Sequence, residues 1–105
     1  MVYLEDQKII VQGAATVDNI TALTKQGFPL LLTGANCTVD LSQVTEVDST
    51  ILSMFLEWLR AARQTSCQIK FINMPSSVAS LIQLYGITEL IPTEKDSLEA
   101  WTITS

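Results

Sequence analysis

Strand-like and helix-like segments alternate along this chain after an opening pair of β-rich segments. The opening pair, residues 1–4 and 8–12, is separated by three polar residues and predicts a hairpin closed by Gly13. Further strands are predicted at residues 37–41 and 67–72, with a last short strand at Leu90-Ile91 before Pro92. This order predicts an α/β fold, with a mixed β-sheet and helices packed against the sheet.

Helical patterns fill the intervals between these strands. The first is predicted to be capped by Thr16 and to run to about Gln26, with Gly27 as the residue after its end and another helical turn at 28–32. A turn is predicted at Thr33-Gly34. The longest helix is predicted to end at about Gln64. A helix opened by Pro75 should end at Gly86, and residues 97–101 are either a short helix or part of a mobile tail. With 105 residues, 48% of them hydrophobic, we expect a single domain over residues 1–105.

The charge balance argues against several classes of partner. The net charge is −5, and the six basic residues are scattered, so we expect no binding to nucleic acid or to anionic membrane surfaces. No apolar run approaches the roughly 20 residues of a membrane-spanning helix, and no signal peptide is apparent. We therefore expect a cytoplasmic protein that does not insert into the membrane.

The residue types that usually carry catalysis are scarce. The chain has no histidine, which removes the commonest general base and zinc ligand, and it has no phosphate-binding glycine-lysine motif. Asp40 and Asp48 lie near predicted surface turns, but two carboxylates alone give no mechanism. We expect no catalytic, cofactor-binding or metal site, and no enzyme activity. Cys37 and Cys67 are interpreted as buried reduced thiols, with a metal site or a redox pair as the alternatives.

The stretch EVDSTILSMFLEW, at residues 46–58, sets an acid and two hydroxyls directly before an apolar helix. Either Asp48 or Ser49 can cap this helix, which leaves hydroxyls of the first turn near the surface. A phosphate on Ser49 would suit the helix N-terminus but would meet repulsion from Asp48. The local chemistry therefore predicts a cap and permits a phosphorylation switch.

The apolar arc of this helix covers more than half of its circumference. One stripe is interpreted as the core face: Leu52, Phe55, Leu56 and Leu59. The adjoining stripe is expected at or near the surface as a partner-binding face, unless neighbouring helices cover it: Ile51, Met54, Trp58, Ala61 and Ala62. Methionine and tryptophan are typical of interfaces, which favours the partner-binding interpretation.

These motifs resemble those of a known family. VDLS at 39–42 and VDS at 47–49, followed by an apolar helix, resemble the STAS domain of sulphate transporters and anti-sigma factor antagonists. NMP at 73–75 and LYGI at 84–87 extend the likeness over nearly the whole chain. Within the family, DST at 48–50 and LEWLR at 56–60 are similar to the MlaB-type proteins of bacterial lipid-asymmetry transporters.

The MlaB-type resemblance implies a non-catalytic accessory subunit. Such a subunit would dock on the MlaF-like ATPase of an ABC transporter, in a complex with permease and substrate-binding subunits. It would support assembly and ATPase activity of a complex that maintains outer-membrane phospholipid asymmetry, and it would lie at the inner membrane only through its partner. The residues expected to bind the partner are Asp48, Ser49, Thr50, Ile51, Met54 and Trp58.

The other branch of the family implies a different function. In an anti-sigma factor antagonist, the serine that corresponds to Ser49 is phosphorylated by a partner kinase, and the phosphate breaks the complex. Antagonists commonly carry glycine or a small residue shortly after this serine, where Ile51 and Leu52 stand here. This departure favours constitutive docking, with the antagonist as the alternative.

Overall fold

The computed structural model of the chain describes residues 1–32 and 36–93. The turn predicted at Thr33-Gly34 and the helix or tail predicted at 97–101 lie outside these residues. The strands are β1 Val2–Glu5, β2 Lys8–Val11, β3 Gly13–Ala15, β4 Asn36–Asp40, β5 Val44–Val47 and β6 Gln68–Ile72. The α-helices are α1 Ile20–Gly27, α2 Thr50–Gln64 and α3 Ser76–Leu84, and 3₁₀ turns cover Phe28–Leu32 and Thr88–Leu90.

Four strands form the main sheet in the order β1-β2-β4-β6. The β1–β2 pair is antiparallel and is the predicted N-terminal hairpin, whereas β2–β4 and β4–β6 are parallel. The predicted mixed sheet is therefore confirmed, with β4 in a central position. Polar residues join the two strands of the hairpin, where Asp6 and Gln7 both adopt positive φ.

Alternation along the central strands directs one row of apolar side chains toward the helices. Ile9, Val39 and Phe71 lie side by side in register across β2, β4 and β6, and all are almost fully buried. Phe55 of α2 packs on Phe71 with ring centroids 4.4 Å apart. This layer of aromatic and β-branched residues holds α2 against the sheet.

A second, two-stranded sheet was not predicted from the sequence. β3 and β5 pair in parallel, with a register shift between Gly13 and Ala14. Gly13 has φ +90°, a conformation that glycine adopts at little cost, so the chain turns from the hairpin directly into β3. Because β3 leads to α1 and β5 leads to α2, this pairing brings the starts of the two helices together.

The start of α1 lies three residues later than predicted, with Asn19 and not Thr16 at the cap position. The Asn19 side chain closes the preceding loop, since its Oδ1 accepts from the Thr16 N–H at 3.0 Å and its Nδ2 donates to the Ala14 carbonyl at 2.8 Å. Residues 16–19 consequently form a turn, and α1 begins at Ile20. The predicted boundary was wrong because the loop satisfies its backbone groups locally.

Two further predictions about element ends have opposite outcomes. Gly86 follows α3 with φ +69°, and the Ile87 N–H donates to the Ile82 carbonyl, which confirms the predicted helix end. The strand predicted at Leu90-Ile91 is wrong, because residues 88–90 form a 3₁₀ turn. The chain meets the sheet slightly later, where Thr93 makes an isolated parallel bridge to Phe71.

Candidate docking site

Asp48 holds the turn between β5 and α2 in place. One carboxylate oxygen accepts from the Thr50 N–H at 2.9 Å and from the Thr50 hydroxyl. The other oxygen accepts from the Val17 N–H at 2.9 Å. The cap predicted for this helix is therefore present, and it is made by Asp48. The same carboxylate also ties the turn to the loop before α1.

These bonds stabilise the ionised form of Asp48. The hydrogen bond from the Thr50 hydroxyl is the main reason that the pKa of this carboxyl lies below its usual value, and the Val17 N–H adds to the effect. The charge also lies at the positive end of the α2 dipole. Both carboxylate oxygens of Asp48 therefore accept hydrogen bonds that hold the turn in place.

Ser49 occupies the position between the two capping partners. Its backbone is helical, with φ −64° and ψ −15°, and its side chain is exposed. Within residues 1–32 and 36–93, the Ser49 hydroxyl makes no capping hydrogen bond to α2. Ser53, one turn later, is also exposed, and its hydroxyl donates to the Thr50 carbonyl. The turn therefore presents hydroxyls to solvent on a fixed backbone.

The other half of the predicted site lies inside the protein. Ile51, Met54 and Trp58 each have 0% exposed surface, so the expectation that their stripe is at the surface was wrong. These side chains cannot touch a partner in this structure. On the stripe interpreted as the core face, Leu52 and Phe55 are buried, but Leu56 and Leu59 are only partly so. The whole helix is rotated about its axis relative to the prediction.

Trp58 is held in the core by a specific arrangement. Its indole N–H donates to the Thr24 carbonyl of α1 at 3.0 Å. The ring lies directly on Gly27, where a Cβ atom would overlap the indole. A glycine is needed at this position because the Trp58 indole leaves no room for a side chain. Gly27 was predicted as the residue after the helix, but it is the last residue of α1.

Val17 is a surface residue of this region that the sequence did not single out. Its side chain is 69% exposed, although its N–H is fixed by Asp48. Val17 falls within the predicted first helix, so no feature of the sequence pattern indicates a surface role for it. The strand pairing of β3 with β5 is what brings Val17 next to the Asp48–Thr50 turn. We call Val17, Ser49, Thr50 and Ser53 the docking rim.

Asp40, the other acid near a predicted turn, has a separate structural role. Its Oδ1 accepts from the Ser42 N–H at 2.8 Å and from the Asn73 amide at 3.2 Å. Partial burial opposes ionisation of Asp40, but the hydrogen bonds outweigh burial and its pKa lies below the usual value. Asp40 and Asp48 share no hydrogen-bonding partner among the described residues, and each closes a different turn.

The described residues offer few other features for chemistry. Four surface clefts lie along α2 and β6, and none of these four is lined by the docking rim. No group of three or more metal-ligating acids or cysteines occurs in residues 1–32 and 36–93. Nor does any helix in these ranges combine the length and apolar character needed to cross a membrane.

Comparison with known proteins assigns the family. A family model described as "Mlab, STAS domain" matches residues 4–92. The chain belongs to the STAS domain family. No curated protein sequence matches this STAS domain significantly. The match covers the Asp48–Thr50 turn, α1, α2, α3 and every strand except the first two residues of β1, so the predicted family is confirmed.

Solved structures share the fold of this STAS domain at low sequence identity. A putative anti-sigma factor antagonist from Thermotoga maritima is 17% identical with a TM-score of 0.72, over 98% of this chain and 92% of that chain. The anti-sigma factor antagonist SpoIIAA in its unphosphorylated form is 10% identical with a TM-score of 0.67, and the alignment covers 99% of this chain and 95% of that chain. The phosphorylated form of the Bacillus SpoIIAA is 13% identical with a TM-score of 0.57, over 100% and 98%.

Proposed function

We propose that this STAS domain is a non-catalytic subunit that docks, through its docking rim, on the ATPase of an ABC transporter. The transporter would be one that maintains outer-membrane phospholipid asymmetry, and the domain would support its assembly and ATPase activity. The observation that carries this proposal is the family model, whose description names Mlab and which matches residues 4–92. The domain would lie in the cytoplasm and reach the inner membrane only through this partner.

The geometry of the turn supports constitutive docking. Asp48 fixes both Val17 and Thr50, so the rim needs little reordering when a partner binds, which lowers the entropic cost of association. The rim combines one exposed apolar side chain with hydroxyls that can donate or accept. The partner is expected to offer a small apolar surface with polar groups around it.

The proposal is tested by co-expression of the tagged domain with the ABC ATPase encoded in the same cells. We expect stoichiometric co-purification at physiological salt. Val17→Lys should strongly reduce capture of the ATPase, because it places a charge on the apolar part of the rim. Leu84→Lys is the matched control, since Leu84 is 78% exposed on α3 and lies outside the rim. Absence of any complex, or equal loss in both variants, would contradict docking through the rim.

A second candidate is an anti-sigma factor antagonist regulated by phosphorylation of Ser49. Ser49 is exposed at the N-terminus of α2, where a phosphate would be favoured by the dipole. The structural relatives include an antagonist in unphosphorylated and phosphorylated forms, which supports this candidate at the level of the fold. Asp48 opposes it, because the phosphate would lie beside an ionised carboxylate.

Ser49→Ala separates the two candidates. For a docking subunit, ATPase capture should change little, because the serine contributes one hydroxyl at the rim. For a phosphorylation switch, the variant should bind its partner without responding to the signal. Phosphosite mapping of the protein from its native cells is the direct measurement, and a phosphate on Ser49 together with a kinase-like partner would favour the antagonist.

A further inference from the structure

The two cysteines, which are distant in the sequence, meet in the folded protein. Cys37 lies in β4 and Cys67 directly precedes β6, 30 positions later in the sequence. Their Sγ atoms are 2.7 Å apart, and both side chains are 7% exposed. Because Cys37 pairs in register with Ile69, Cys67 falls two residues earlier on the same face of the sheet. The parallel pairing of β4 and β6 therefore explains why the two sulfurs are in contact.

Two surface clefts border this thiol pair. One surface cleft of about 350 Å³ is lined by Cys67 together with Arg63 and Leu90. A second cleft of about 360 Å³ is lined by Cys37 together with Lys70. Each cleft has one of these basic residues, Arg63 or Lys70, among the residues that line it, which favours small anionic reagents over neutral ones of the same size.

We propose that Cys37 and Cys67 form a redox modification site, at which an anionic low-molecular-weight disulfide such as oxidised glutathione converts the two thiols into an intramolecular disulfide. The inference is independent of the proposed docking function. It concerns a pair of side chains on the opposite end of α2 from the docking rim, since Cys67 follows the last residues of that helix.

The exchange takes place in two steps. The Cys67 sulfur, on losing its proton, attacks one sulfur of the small disulfide, whose S–S bond breaks and releases one small thiolate. The Cys37 sulfur then loses its proton and attacks the Cys67 sulfur of the mixed disulfide, which releases the second small thiolate. The two released thiolates take up the two protons. In total two protein thiols are oxidised and one small disulfide is reduced to two thiols.

The environment of Cys37 supports this order. Burial, together with the hydrogen bond and charge of Cys67, raises the pKa of the Cys37 thiol to about 12. Cys37 therefore stays protonated at neutral pH and is a poor first nucleophile. Once Cys67 is held in a mixed disulfide, its hydrogen bond and charge no longer oppose ionisation of Cys37, and the second step becomes easier.

The disulfide would cross-link a large part of the domain. The loop that it closes contains β5, the Asp48–Thr50 turn and all of α2. Closing such a loop restricts the unfolded chain, so we expect the oxidised protein to melt at least about 10 °C above the reduced protein. The cross-link would also fix the C-terminal end of α2 to the sheet.

The experiment treats the native full-length chain with oxidised glutathione and then counts thiols after denaturation. We expect two thiols before treatment and none after it, with an intact mass lower by two hydrogen atoms and a monomer on a non-reducing gel. Two thiols that persist, glutathione attached to both cysteines, or disulfide-linked dimers would each overturn the proposal.

Single alanine variants test the order of attack. Cys37→Ala should accumulate one glutathione on Cys67, whereas in Cys67→Ala the thiol of Cys37 should be modified more slowly, because burial, the largest cause of its raised pKa, remains. The reverse pattern would overturn the proposed order. If a variant does not fold, peptide mapping of the wild-type protein at early times decides the question, because the first mixed disulfide should be found on Cys67.

Discussion

The two ends of the segment from Asp48 to Trp58 differ sharply, although they belong to one continuous turn and helix. At the first end, a polar network holds the backbone while Ser49 and Val17 face solvent. At the other end, Trp58 has no exposed surface and lies between α1 and the remainder of the core. The comparison shows that methionine and tryptophan on an apolar helix can be wholly structural, while the residues that face solvent lie in and beside the short turn before it.

The largest effect is expected at the buried end. Trp58→Ala should lower the free energy of unfolding by about 3–5 kcal/mol, because it leaves a cavity and removes the partner of the Thr24 carbonyl. Chemical denaturation measures this change. Leu84→Ala, at an exposed position, should change it by less than about 0.5 kcal/mol. If Trp58→Ala is as stable as the wild-type protein but fails to bind its partner, Trp58 is an interface residue and its structural role is contradicted.

Gly27 gives a sharper test of how closely the buried end is packed. Helix propensity alone predicts that Gly27→Ala raises the free energy of unfolding by up to about 1 kcal/mol. The overlap of a new methyl group with the Trp58 indole predicts instead that the free energy of unfolding falls by about 1–3 kcal/mol. Thr21→Ala, at an exposed position of α1, is the control and should show the propensity effect alone. Stabilisation by Gly27→Ala would mean that the indole can move aside.

At the exposed end, Asp48→Asn should destabilise the protein in a pH-dependent manner. The folded-state pKa of Asp48 is below the usual value of 3.8, so its contribution is present at neutral pH and is lost as pH falls below about 4. The wild-type and variant stability curves should therefore converge at low pH, as thermal melts across this range can show. Asp18→Asn, at an exposed neighbour, is the control and should leave the curve unchanged. A constant difference at all pH values would contradict the role of the ionised carboxylate.

The smallest effect on stability is expected at Ser49. Ser49→Ala should change the free energy of unfolding by less than about 0.5 kcal/mol, because the side chain is exposed and makes no capping bond among the described residues. Thr50→Val at the neighbouring position removes the hydroxyl that donates to Asp48, so it should lower the free energy of unfolding by more than Ser49→Ala does. Equal losses in the two variants, measured by denaturation, would show that Ser49 also supports the turn.

Elements with strong local signals were predicted well. The hairpin of β1 and β2 follows from two β-rich segments with polar residues between them, and the end of α3 follows from Gly86. Neither strand of the small sheet was among the predicted strands. β3 consists of one glycine and two alanines, and β5 has two polar residues between its valines, so neither shows a clear strand pattern and both depend on pairing with each other.

The docking rim could be predicted only in part. The Asp48–Thr50 turn was found because an acid and hydroxyls before an apolar helix indicate a cap. Val17 could not be found, because its position depends on a strand pairing between residues that are far apart in the sequence. The contact between Cys37 and Cys67 is of the same kind, since it arises from the parallel pairing of β4 and β6.

The sequence by itself determined the family, the order of most elements, the cap at Asp48 and the apolar character of α2. These properties depend on residue type and on spacing within one segment. Only the tertiary structure decided which side of α2 faces the core, because apolar residues cover more than half of that helix and local periodicity then gives no single inward direction. The positions of the sheet, of α1 and of Gly27 set that direction, and they place Trp58 inside and the docking rim outside.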